Sequence, residues 1–284
     1  MKKLRTKNDA ILAKYPTFVV GTRENLSHFD PSPFGCDIQW TIDPTRLESA
    51  LFLNLLQKLD GLTFGPEGMP MDKWVFYNCA ELPGFIYGFA TPASDLNAGE
   101  RLLFGVPDGY FGPVPISMYI AIPMFEEGAW FGHNLASLNR VLPHRHFKGL
   151  GTITKALALK AFGVKHFFGA TQWDSRALYI HTKFGPLDLV TAYTPAHSIP
   201  LTLTYAFDVC DDGLRAVLGD PEHTIAFPEP TMSLDGGDED AIRGIQSEIE
   251  SGTRYQLVGP PSIQGGRVIH PLGRRHPQEG VESR

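Results

Sequence analysis

The apolar positions of this chain recur with two different periods, and each change of period predicts a new element. Residues 36–42 read as a strand. Asp43 then stands as an N-cap with Pro44 at the first helical position, and residues 46–59 carry the spacing of an amphipathic helix closed by Asp60-Gly61. Residues 73–80 and 85–90 are rich in aromatic and β-branched side chains around Glu81-Leu82-Pro83-Gly84, which predicts an antiparallel hairpin. A second hairpin is predicted from residues 115–124 and 130–142, which flank Phe125-Glu126-Glu127-Gly128-Ala129. A helix pattern over 152–162 stops at Gly163, a buried strand follows over 164–171, and residues 174–185 read as a short helix ended by Gly185. Strands over 187–193 and 201–209, joined by Thr194-Pro195-Ala196-His197-Ser198, complete a mixed sheet.

Three stretches lack such a pattern. Residues 1–35 read as a basic arm and a turn-rich lead-in ending Asp30-Pro31-Ser32-Pro33-Phe34-Gly35. Residues 92–113 form a Gly- and Pro-rich excursion containing Tyr110 and Phe111. A loop of that length is either functional, as a lid or substrate wall, or disordered. From Pro228 onward the acidic run Asp235-Gly236-Gly237-Asp238-Glu239-Asp240 and a Gly-, Pro- and Arg-rich end predict a mostly disordered tail, with an isolated acidic helix over 242–249. The expected organisation is an arm over 1–35, one α/β domain over 36–227 and a tail over 228–284, without internal repeats.

Composition narrows this picture. With 284 residues, 43% hydrophobic and 20% charged, the chain buries a full core as one large or two modest domains. A net charge of −6 argues against a protein-wide grip on nucleic acid, although residues 140–148 are locally basic. The three cysteines, Cys36, Cys79 and Cys210, lie far apart without C-x-x-C spacing, so a reducing cytoplasm is expected. No run approaches the roughly 18 apolar residues of a membrane span, and Lys14 and Pro16 break the N-terminal stretch as a signal peptide.

The junction His146-Phe147-Lys148-Gly149-Leu150-Gly151 lies between an apolar run and the helix pattern beginning at Thr152. The first turn of a helix leaves N–H groups unpaired and carries a partial positive charge of roughly +0.5, which attracts phosphate. Glycine at 149 and 151 removes the Cβ that would block an approaching oxygen, and Lys148, His146 and Arg145 add charge nearby. A few charge-assisted bonds of roughly 1.5–3 kcal/mol each suffice for micromolar affinity. The triphosphate-loop motif G-x-x-x-x-G-K-[ST] is absent, and Thr154 takes the third glycine's place in G-x-G-x-x-G.

Taken with the strand and short helix downstream, residues 135–185 resemble the GCN5-related N-acetyltransferase family. The register carries the resemblance. Val141, Pro143, His146, Gly149 and Gly151 fall on V-x-P-x-x-(Q/R)-x-x-G-x-(G/A), while Asp174, Ala177, His181 and Gly185 fall on N-x-x-A-x-x-x-Y-x-x-x-G. Phe147 fills a place that is often glycine, and His181 stands where the family offers Tyr. The resemblance implies the acyl-CoA N-acyltransferase fold: a mixed, mostly antiparallel central sheet with a splayed parallel strand pair and helices on both faces. It implies acetyl-CoA or another acyl-CoA as co-substrate. Val141, Leu142, His146, Phe147, Lys148, Gly149, Leu150, Gly151, Thr152 and Asp174 would lie along it.

In that family's reaction an amine attacks the thioester in a ternary complex. The acceptor would be an amine-bearing small molecule or protein, and the resemblance leaves room for a homodimer. Backbone amides of Val141 and Leu142 are the candidate oxyanion and pantetheine donors. His181 or Tyr179 would protonate the leaving thiolate, and His133, Glu81, Glu126 or Glu127 would take the amine's proton. His144 and His146 lack the closed ligand set of a metal site, and Ser137 and Ser175 lack a nucleophile elbow. Two other readings stand beside the transferase: a catalytically silent acyl-CoA-binding or interaction module, and a relative that modifies a nucleic-acid base.

Overall fold

A computed structural model describes residues 9–81, 84–139, 141–145 and 147–275. They divide into two compact units, the first Met1–Lys165 with Leu214–Glu222, the second His166–Gly213 with His223–Arg284. In chain order the first unit contains α1 (Asp9–Lys14), β1 (Thr17–Val20), β2 (Ile38–Ile42), α2 (Ala50–Phe64), α3 (Lys73–Glu81), β3 (Phe85–Pro92), α4 (Ala98–Phe104), β4 (Pro113–Pro123), β5 (Ala129–Ser137) and α5 (Leu150–Ala161). The second contains β6 (His166–Gln172), α6 (Leu178–His181), β7 (Leu187–Thr191), β8 (Thr202–Asp208), β9 (Met232–Asp235), α8 (Glu239–Glu250), β10 (Arg254–Leu257), β11 (Ser262–Gln264) and β12 (Arg267–Arg275); between β8 and β9, α7 (Asp211–Leu218) returns the chain to the first.

The first unit's sheet runs β5-β4-β3-β1-β2, antiparallel except for the parallel pair β1 and β2. Residues 114–121 of β4 are buried without alternation, so both faces of the sheet are covered. Parity assigns the layers. Ser117 and Tyr119 face α5, through the Thr154 hydroxyl and the Lys155 ammonium. Asn134, which pairs with Ile120 on the other parity, reaches Asp60 of α2. Gly88 of β3 is required by close packing, because a Cβ there would stand 2.1 Å from the Ser117 carbonyl oxygen. The second unit's sheet runs β6-β8-β7-β10-β12, antiparallel, with β9 and β11 both pairing β12. Helix α8 lies against β7, β9 and β10.

Several sequence expectations are corrected. Residues 73–80, expected as a strand, form α3. Phe76 and Cys79, one turn apart, are its buried pair, while Trp74 is exposed, so helical spacing overrides the β-propensity of the run. With no hairpin there, β3 instead pairs with β1 and β4. Gly61 does not stop α2, which continues to Phe64. Thr17–Val20, assigned to the lead-in arm, is a wholly buried strand between β2 and β3. The excursion over 92–113 holds α4, closed at its N-terminus by a reciprocal Asn97–Glu100 capping box. The tail expected to be disordered is ordered through Arg275. Leu234, Ile242, Ile245, Tyr255, Leu257, Val258 and Leu272 supply a core that its acidic and Gly-rich composition concealed. Residues 1–8 of the arm and 276–284 of the tail lie outside the described residues.

Candidate functional site

Strand β5 ends at Ser137, five residues earlier than the sequence suggests. Beyond the strand, the N–H groups of Val141 and Leu142 turn back and both donate to the Leu138 carbonyl, at 3.0 and 2.8 Å. These amides are occupied within the turn, which removes them as the oxyanion and pantetheine donors expected from the sequence.

A 3₁₀ turn over Pro143–Arg145 leads to the glycine junction. His146 lies outside the described residues. Gly149 is the N-cap of α5 with φ 88°, a left-handed conformation that glycine adopts without steric cost, and no side chain caps the helix. The Leu150 N–H donates to the Phe147 carbonyl and the Ile153 N–H to the Gly149 carbonyl, at 2.9 and 3.0 Å. Among the described residues the Gly151 and Thr152 N–H groups have no acceptor. Leu150, Gly151 and Thr152 are buried, and Lys148 is exposed beside them. The start of α5 is pinned to the sheet by a directed chain. Phe89 N–H donates to the Ser117 hydroxyl, that hydroxyl meets Thr154 at 2.7 Å, and Thr154 donates to the Leu150 carbonyl.

Phe147 is 3% exposed and packs on the Tyr15 ring, with centroids 5.4 Å apart. Its side chain belongs to the first unit's core. The Tyr15 hydroxyl is buried and has no hydrogen-bond partner among the described residues. Arg145, expected to add charge beside the amides, gives its Nε to Glu100 at 2.6 Å, its Nη2 to the other Glu100 oxygen, and Nη2 also to the Asp95 carbonyl at 2.7 Å.

His133 falls at a β-bulge, because Gly132 pairs with Ala121 and Asn134 with Ile120. The ring keeps an exposed edge, yet desolvation by the protein around it lowers its pKa below the ordinary histidine value. Beneath the bulge, the Asp60 carboxylate accepts from Asn134 Nδ2 at 2.7 Å and from the Met71 N–H at 2.6 Å, and burial raises its pKa. Glu126 and Glu127 are exposed at the β4–β5 turn, and Glu81 ends α3.

In the second unit Asp174 is exposed and does not cap α6; Ser175 Oγ accepts the Ala177 N–H instead, at 3.1 Å. Tyr179 is half-buried. His181 is buried near the helix end, its ring 5.2 Å from that of Tyr205. The candidate residues are thus divided, Val141 to Thr152 and His133 in the first unit, and Asp174, Tyr179 and His181 in the second. Sequence reasoning missed Tyr15, Asp60, Glu100 and the fully buried Lys155, whose pKa burial pushes well below the usual lysine value. Only Glu100 had a local signal, the Asn-x-x-Glu spacing of a capping box. Among the described residues no three His, Cys, Asp or Glu side chains converge as a metal site, and no helix is long and apolar enough to cross a membrane.

Among solved structures, the chain is similar to an aminoglycoside 6'-acetyltransferase type Ii, with TM-score 0.40 and 14% identity over 60% of this chain and 95% of that one. It is also similar to the ribosomal-protein-S18-alanine N-acetyltransferase of Escherichia coli, with TM-score 0.38 and 11% identity over 58% and 90%. A third is the IAA acetyltransferase of Bacillus cereus, with TM-score 0.32 and 14% identity over 54% and 91%. No family model matches the sequence, and no curated protein matches it.

Proposed function

We propose that this protein is an acyl-CoA-dependent N-acyltransferase whose α5 N-terminus receives the coenzyme's diphosphate. The observation that carries this reading is the left-handed Gly149 opening an uncapped helix, with the Gly151 and Thr152 N–H groups lacking acceptors among the described residues. Such a terminus favours a diphosphate through its amides and its dipole, while the Phe147 ring packs on Tyr15. Lys148 supplies an exposed cation next to them.

Bound acyl-CoA would supply a thioester carbonyl; the chain's own residues would manage the protons around it. His133, kept neutral at pH 7 by its lowered pKa, takes a proton from the acceptor amine, directly or through water. An acyl C–N bond forms, the C–S bond breaks, and the departing thiolate takes up a proton and leaves as the coenzyme A thiol. The acceptor is an amine-bearing small molecule or a protein amine. Acetyl-CoA incubated with panels of amines, peptides and arylamines should release thiol in step with acylated product.

The occupied Val141 and Leu142 amides favour a second reading, a catalytically silent acyl-CoA-binding module. Thermal stabilisation by acetyl-CoA without thiol release across those panels would select it.

A further inference from the structure

Helix α4, within the Gly- and Pro-rich excursion over 92–113, turns a carboxylate inward. Glu100 is 3% exposed and takes four donors. Its Oε1 accepts from Arg145 Nε at 2.6 Å and from His144 Nε2 at 3.0 Å, and its Oε2 accepts from Arg145 Nη2 and from the Asn97 N–H at 2.9 Å. Arg145 adds the bond to the Asp95 carbonyl just before α4. Both basic partners belong to the 3₁₀ turn that enters the glycine junction. A bidentate guanidinium–carboxylate pair fixes orientation as well as distance, and it does so four residues before Gly149.

We propose that Glu100 is a positioning residue: it anchors the Pro143–Arg145 turn to α4 and so holds residues 147–152 in the conformation that presents the α5 N–H groups. The excursion thereby acts as a buttress. Arg145 hydrogen bonds hold the Glu100 carboxyl down at about 2, so the pair stays charged across the physiological range. Consequences for coenzyme affinity rest on the acyltransferase reading; consequences for the loop do not.

The test is hydrogen–deuterium exchange on the full unliganded chain, wild type against Glu100→Gln, paired with titration of coenzyme A. The amides of 147–152 should exchange about tenfold faster in the variant while β4 is unchanged, and coenzyme A affinity should fall about tenfold. Since Gln leaves the Arg145 charge unpaired, Glu100→Gln combined with Arg145→Met serves if the single variant does not fold, with the same loosening expected. Asn97→Ala removes the cap of α4 but keeps the Arg145 pair, so it should speed exchange over 98–104 and spare 147–152. Exchange of 147–152 unchanged in Glu100→Gln, raised there no more than in β4, or raised equally by Asn97→Ala, would overturn the proposal. So would unaltered coenzyme A affinity in Glu100→Gln when the wild type binds. If the wild type binds no coenzyme A, the acyltransferase reading falls, and the exchange comparison alone decides the role of Glu100.

Discussion

The Phe147 ring stands 5.4 Å from the Tyr15 ring, tilted by 59°, which joins a residue two positions before Gly149 to one two positions before β1. Where the resembled family often carries glycine, this chain carries an aromatic anchor. The Phe147 side chain adds core contact, being 3% exposed. Its energetic weight is testable, because the two partners should respond in opposite ways.

Phe147→Ala empties a buried site and should cost about 3–5 kcal/mol. Tyr15→Phe removes a buried hydroxyl that has no hydrogen-bond partner among the described residues, and should be neutral or stabilising by up to about 1 kcal/mol. Denaturant unfolding of both variants measures this. A Tyr15→Phe loss as large as that of Phe147→Ala would show that the hydroxyl is engaged.

His133 should set the acidic limb of activity. Its pKa lies below 6.5 in the folded chain, so the ring is an unprotonated base at pH 7 and gains a proton only on further acidification. Accordingly kcat/KM should be level near pH 7 and fall only on acidification below the ordinary histidine value of 6.5. His133→Ala should lower kcat by about 10²- to 10⁴-fold and abolish that limb. An acidic limb that persists unchanged in the variant assigns the base elsewhere.

His270 should make the fold acid-sensitive. It is fully buried, its Nε2 lies 2.8 Å from the Trp173 carbonyl, and desolvation lowers its pKa below 6.5. The unfolded chain therefore takes up a proton at a pH where the folded chain does not. The stability contribution is complete above 6.5 and is lost as pH falls from there towards the lower folded pKa. Urea titrations at pH 7.5 and 5.5 should show the decline, and His270→Gln should flatten this part of it. An unchanged slope in the variant would remove His270 as its cause.

What the sequence revealed depended on whether the signal was local. The glycine turn, α5, β3, β4 and the strands β6 to β8 are legible because each carries its own period and punctuation. Thr17–Val20 was not, because a threonine and three apolar residues after a proline show no period, and only their pairing with β2 and β3 makes them a strand. Residues 73–80 misled through aromatic content, which tertiary burial of Phe76 and Cys79 overrides. The C-terminal strands are obscured by the acidic and Gly-rich composition around them, although Ile242 and Ile245 mark a helical face. Within the candidate site, Gly149 and His133 stand out by residue type, but the occupied amides of Val141 and Leu142 do not, since a turn that consumes its own donors leaves no mark in residue type. Glu100 engages Arg145 45 positions away, and that distance hides the pair from any local pattern.

The central claim is that the start of α5 binds the coenzyme's diphosphate, and calorimetric titration of coenzyme A into wild type and Gly149→Asp tests it most directly. The account predicts a wild-type Kd on the order of micromolar. It also predicts at least about a hundredfold weakening in the variant, whose carboxylate would meet the diphosphate at a backbone with φ 88°, with melting temperatures compared to confirm that both are folded. A wild type that does not bind coenzyme A, or a folded Gly149→Asp that binds it equally well, would contradict the account.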